Sequence, residues 1–275
     1  VETVPKDCQI IEAAGKYICP GFIDAHTHIG LEEEIYGVEG DDVNEMSAPI
    51  TAELQAVDGI NFDDLAFQDA LRGGVTRSMC MPGSANIIGG QAVLLKHWAS
   101  KMCDMVYKDS WGLKSALGEN PKRVYGKEKK APITRMANAS LLRETFYTAA
   151  NTMDKKDIEP KQRYKLEPVY KVLRKEIPLL LHAHRADDIL TALRIKDEFD
   201  FDLIIQHGTE AFKIADELIK RNDSEGILLP DRSCPALPTM IPRSSWCGSY
   251  SACKNPTYTP TYISATHTVI HHGAS

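Results

Sequence analysis

The residues best able to do chemistry are histidines placed at the ends of apolar runs. In Pro20-Gly21-Phe22-Ile23-Asp24-Ala25-His26-Thr27-His28, two imidazoles sit two residues apart after a short apolar stretch. On a strand such residues share a face, so His26 and His28 can present two nitrogens to one metal ion at the strand's C-terminal end. An isolated His-x-His pair is more often just two polar residues at a strand end, but two histidines closing a buried strand need partners. Two further apolar runs, Ile177 to Leu181 and Phe201 to Ile205, each lead within two residues to a histidine, His182 and His207. His184 has the parity of His182 and faces the same side.

The elements that must hold these side chains alternate in type. Tyr17 to Asp24 and Val75 to Met81 read as strands, with a helical stretch from Asp63 to Leu71 between them and Asn61 as its expected N-cap. After the third and fourth apolar runs, Ala186, Ile189, Leu190 and Leu193, and then Ala211, Ile214, Ala215 and Leu218, fall at helical spacing. Leu142, Phe146 and Ala149 mark another amphipathic helix between Pro132 and Asn151. Strands alternating with helices imply an α/β fold with a parallel sheet, open or closed into a barrel.

Composition narrows the function classes. The chain has 275 residues, 43% hydrophobic and 25% charged, and 32 basic against 38 acidic residues leave a formal charge of −6. That excludes a fibrous protein and lacks the basic footprint of a nucleic-acid binder. No apolar run approaches the roughly 18 residues of a membrane span. Seven cysteines, an odd number without CxxC pairs, argue against a disulfide framework and for a reducing, cytoplasmic setting. The expected partner is a small molecule, with no nucleic acid and no membrane, and a homo-oligomer is allowed. The chain opens on Val1 without a signal peptide, in the manner of a truncated start.

The final stretch is different. From Gly226 to Ser275 there are 6 Pro, 7 Ser and 6 Thr, few charges, and no sustained helical or alternating pattern. Such a segment buries too little apolar surface to offset its ordering entropy. The reading is therefore 1–19 as a leading segment or linker, 20–229 as an α/β domain, and 230–275 as an irregular tail. Gly89-Gly90 and Pro82-Gly83 read as turn glycines, and no Walker lysine-serine pair follows them. Glu32 to Glu34 with Asp41-Asp42, and Lys127, Lys129 and Lys130, read as solvated charge. His97, His267, His271 and His272 have no usable spacing.

Taken together, the first-strand motif resembles the signature of the amidohydrolase superfamily of metal-dependent hydrolases. The likeness continues through Asp58-Gly59-Ile60-Asn61, Gly74-Val75-Thr76, Pro82-Gly83-Ser84-Ala85-Asn86 with Gly89-Gly90-Gln91, and Gly118-Glu119-Asn120-Pro121-Lys122-Arg123. It then covers His182-Ala183-His184-Arg185-Ala186-Asp187-Asp188 and Gln206-His207-Gly208-Thr209-Glu210, and is similar to an imidazolonepropionase-related branch. The resemblance implies a distorted TIM-like (β/α)8 metal-dependent hydrolase barrel over 20–229, here incomplete at about six β/α units, with 1–19 as the remnant of a small β-sandwich built from the chain ends. It implies one or two divalent ions, zinc foremost. His26 and His28 would bind the first, His182 and His207 the second, and a carboxylate from the fourth strand, carbamylated Lys114 or Glu119, would bridge them. His184 and Arg185 would touch substrate or support the ligands.

The implied activity is hydrolysis of a carbon–nitrogen bond in an amide, cyclic amide or dipeptide-like substrate. The superfamily also uses an aspartate at the end of the eighth strand as general base. No match follows His207, where the one acidic residue of the last stretch, Asp231, lies too close to the sixth strand. No catalytic base is therefore identified, and the alternative is an inactive fragment or scaffold relative.

Overall fold

The apolar runs do form strands, and they lie side by side in chain order. The computed structural model describes residues 11–35, 37–222 and 227–228. Its strands are β1 (Phe22–Thr27), β2 (Val75–Cys80), β3 (Ile88–Lys96), β4 (Val106–Ala116), β5 (Leu179–Ala183), β6 (Leu203–His207) and β7 (Ile227–Leu228). The helices are α1 (Leu65–Arg72), α2 (Glu119–Lys127), α3 (Arg135–Thr152), α4 (Pro160–Leu173), α5 (Ala186–Phe199) and α6 (Ala215–Asn222). The strands make one mixed sheet, curled into a half-barrel consistent with an incomplete TIM-like barrel.

β1 pairs parallel with β2, and β4 through β7 are parallel to their neighbours, whereas β3 is antiparallel to both β2 and β4. This corrects the expectation of a wholly parallel sheet. Only residues 81–87 join β2 to β3, too few for a parallel crossover, so the chain must reverse. Gly89 and Gly90, read as turn residues, belong to β3. Gly90 has φ +133, and a Cβ there would meet the Leu54 carbonyl oxygen at 2.8 Å, so glycine admits the backbone of the preceding loop against the sheet.

Strand alternation divides the core into two layers. Leu113 of β4, Leu179, Leu181 and Ala183 of β5, and Leu203 and Ile205 of β6 pack outward with Leu142, Phe146, Ala149, Val169 and Ile189 of the helices. Met79, Met81, Ala92, Leu180 and Ile204 form a second cluster on the concave side. In an alternating strand Lys114, His182 and Gln206 fall on that inner face, two residues along from Gly112, Leu180 and Ile204. Their register agrees: Lys114 pairs with Leu180, Ala116 with His182, and His182 with Gln206.

Three other expectations change. α1 is capped by Asp64, whose carboxylate accepts from the Ala66 amide; Asn61 instead accepts from Asp63 in the turn before it. Residues 17–19 are not strand, because they have no paired neighbour among the described residues; Tyr17 is fully exposed. β1 is a half-exposed sheet edge with Phe22 at 42% and Ile23 at 44%, not the buried strand expected. The 230–275 tail, Asp231, His267, His271, His272 and residues 1–10 lie outside the described residues.

Candidate metal centre

Five histidines from three strand ends converge on the concave face. Ring centroids of His26 and His28 are 5.4 Å apart, and His207 lies 4.9 Å from His26, 4.5 Å from His182 and 4.9 Å from His184. His182 and His184 are 4.7 Å apart. The ligating atoms of His182, His184 and His207 all lie within 4.8 Å of one another, the spacing of groups able to hold one cation. The resemblance had placed His184 outside that set.

How His207 joins them is not a matter of strand alternation. Leu203 and Ile205 face the helices, and parity sends His207 with them. The residue instead adopts φ +68, a left-handed conformation unusual for a side chain with a Cβ, and Gly208 follows at φ +56. The Gly208 amide then donates back to the Ala183 and Gln206 carbonyls, which holds the turn. Strain of about 1–3 kcal/mol is typical of such a residue and is tolerated where the surroundings enforce it.

Lys114 lies on the same inner face, fully buried, paired with Leu180 two residues before His182. Its Nζ donates to Gln206 Oε1, and the Met81 sulfur is 3.7 Å away. Burial lowers its pKa from 10.5 to about 7. Burial likewise pushes His26 and His182 down to about 2, with Lys114 and His207 adding repulsion to each. His28 is lowered too, chiefly by burial. The centre thus favours neutral imidazoles and a neutral amine, the forms that donate lone pairs.

Neighbours orient the rings. His28 Nδ1–H donates to the Met81 carbonyl at 2.7 Å, since a carbonyl only accepts, and its Nε2 lone pair is left for another role. The Asn120 amide lies 3.2 Å from His182 Nε2 and 2.8 Å from Ser84 Oγ. His182 Nδ1 is buried with no hydrogen-bond partner. A buried ring nitrogen without a partner beside other imidazoles fits a cation, so the donor set suits the divalent metal that the sequence suggested.

Two expected residues stand apart. Glu119 opens α2 after Gly118, whose φ of +82 turns the chain, and its half-exposed carboxylate lies 3.8 Å from Arg135. The geometry gives Lys114, not Glu119, the place among the histidines. Arg185 is exposed and makes two hydrogen bonds to Asp187, at 2.9 and 2.7 Å. Asn120 and Gln206 were missed as site residues, although both lie in the quoted motifs, because neither amide has a spacing that announces a role. His97 is a core residue, donating to the Val75 carbonyl and accepting from Ser78.

No protein-family model matches the chain. The crystal structure of an amidohydrolase from Thermotoga maritima superposes with a TM-score of 0.76 at 45% identity, covering 83% of this chain and 61% of that one. The curated amidohydrolase tasK of Hapsidospora irregularis is 30% identical over 247 residues, 79% of this chain. These relatives are amidohydrolases, and they support that family for this chain. The chain spans about a quarter of the length of tasK, 25%, and 61% of the Thermotoga protein.

Proposed function

We propose that this chain is the metal-binding part of a hydrolase that cleaves a carbon–nitrogen bond in an amide, cyclic amide or dipeptide-like small molecule. The carrying observation is the convergence of His26, His28, His182 and His207 around a fully buried Lys114. A divalent ion, zinc by the preference for imidazole, would supply Lewis acidity here. His26 and His28 would hold one ion and His182 and His207 another, with His184 close enough to the latter pair to join them or to meet the substrate.

The chain's own residues then do the positioning. Lys114, as its carbamate, would join the two pairs; burial already biases the amine toward the neutral form that attacks carbon dioxide. Met81 fixes the His28 ring through its carbonyl, and Asn120 fixes His182 from the rim. The imidazolonepropionase-related branch is the finer reading, carried by the motifs from Asp58 to Glu210. The odd cysteine count without CxxC pairs favours a reducing compartment, the cytoplasm, and Cys80 is a buried free thiol. Among the described residues no helix is long and apolar enough to cross a membrane.

A second reading, an inactive scaffold that keeps metal affinity, is favoured by one observation. The metal-capable group found among the described residues consists of imidazoles alone, with no carboxylate to take the water's proton. Elemental analysis and turnover of N-acyl amino acids, dipeptides and cyclic amides, with and without zinc, separate the two. Metal-dependent turnover lost in His207→Ala supports the enzyme; stoichiometric zinc without turnover supports the scaffold. A folded chain that takes up no divalent ion refutes both.

A further inference from the structure

Gln206 is the polar residue of the concave face that the proposed chemistry leaves without a task. It is wholly buried, precedes His207 on β6, and reaches across β5 to Lys114 on β4. Its Oε1 accepts from Lys114 Nζ, and its Nε2 donates to the Met81 sulfur at 3.0 Å. These partners fix the orientation of the carboxamide. An amine hydrogen can only be donated, so the oxygen must face Lys114, while a thioether only accepts, so the amide nitrogen must face Met81. A buried carboxamide satisfied at both ends by side chains from two other strands is held in one pose.

We infer that Gln206 positions the carbamate of Lys114 by accepting its one remaining N–H, which turns the two carbamate oxygens toward the histidines. This rests on the reading of Lys114 as the bridge. When the neutral amine adds to carbon dioxide, a bond forms from Nζ to carbon, one C=O electron pair moves to oxygen, and a proton leaves Nζ to solvent. The product, –NH–COO⁻, keeps a single N–H. A carbamate rotates about the Cε–Nζ bond, and only one setting puts the N–H on Gln206 Oε1. Because Gln206 and Lys114 are on opposite sides of β5, that setting aims the carboxylate away from β6's amide and along the concave face, where His182 stands on β5, His207 lies 4.5 Å from it and His26 4.9 Å from His207. Met81 takes part at both ends: its sulfur holds the amide nitrogen of Gln206, and its carbonyl holds the ring of His28.

The test uses the zinc-loaded chain equilibrated with ¹³C-bicarbonate, with the carbamate carbon observed by NMR and zinc measured by elemental analysis. In Gln206→Leu, which keeps the volume and removes the acceptor, the bicarbonate concentration for half-maximal carbamate signal rises about threefold, less than the full worth of a hydrogen bond because the free amine donates to the same oxygen. Zinc content then follows bicarbonate in the variant but not in the unsubstituted chain. Should Gln206→Leu fail to fold, Gln206→Met, a flexible side chain of like length beside Met81, is read in the same way. A labelled carbamate in the unsubstituted chain with the same half-saturation in the variant overturns the positioning role and leaves the bridge intact. No label in the zinc-loaded unsubstituted chain, with zinc retained by Lys114→Ala, overturns the bridge itself.

Discussion

Replacing Lys114 with methionine should make the metal-free chain more stable at neutral pH, although it removes a hydrogen-bonded residue from the proposed site. The argument is linkage. Burial lowers the Lys114 pKa from 10.5 to about 7. An unfolded lysine binds its proton up to about pH 10.4, so between pH 7 and 10 the unfolded state holds more protons than the folded one, and stability rises with pH. Below pH 7 both states are protonated and the full penalty is present. At 1.36 kcal/mol per unit, the penalty at pH 7 is about 4 kcal/mol, of which roughly 3 disappears by pH 10. Methionine fills a similar volume without a charge. It leaves Gln206 Oε1 without its donor, at a cost of about 1–3 kcal/mol. The net expectation is a gain of about 1–3 kcal/mol at pH 7 that vanishes or reverses by pH 10. The assay is urea unfolding of chelator-treated protein, kept free of bicarbonate, at pH 7, 8.5 and 10. Midpoints of the two proteins that run parallel across this range would refute the reasoning, since they would show Lys114 to be charged and solvated in the folded chain.

Acid should act through the histidines. His26 and His182 are both held near 2, so below 6.5 the unfolded chain takes up two protons that the folded centre refuses, and stability falls by roughly 2.5 kcal/mol per pH unit from pH 6 to 4. Urea midpoints at pH 6 and 5 check this, and His182→Asn should halve the slope. Asp188 is buried, and its two carboxylate oxygens share the one Arg135 Nε–H, at 2.8 and 3.1 Å; Asp188→Ala should cost about 2 kcal/mol, less than for a fully buried pair because Arg135 remains 30% exposed. Gly90→Ala, forced into φ +133 against the Leu54 carbonyl, should cost more than about 1 kcal/mol in urea unfolding, whereas an unstrained glycine-to-alanine change gains up to about that much. Phe146→Ala, in the packing between α3 and Phe201, should cost about 3–5 kcal/mol, measured in the same way.

What the sequence makes legible at this centre is whatever depends on a repeating period. His26 and His28, and His182 with His184, are readable because residues two apart on a strand share a face, and the helices after β5 and β6 are readable from their 3.6-residue pattern. The features that finish the centre break those periods. Antiparallel β3 follows from the shortness of 81–87, a stretch that also reads as an ordinary loop. The choice between Lys114 and Glu119 turns on Gly118, whose positive φ ends the inner face of β4 and starts α2 with Glu119 beside Arg135. The contact between Lys114 and Gln206 joins residues 92 apart and leaves no local trace. His207 is the sharpest case, for its parity assigns it to the helix side and only its left-handed backbone returns it to the other histidines. The regular part of β6 builds the helix-facing core with Leu203 and Ile205, and its one irregular residue supplies the imidazole. A strand can serve both faces in this way only at its end, where no further ladder has to be kept in register. That is a physical reason for the chemistry to gather at the C-terminal ends of β5 and β6, next to the turns that follow them, and not midway along the sheet.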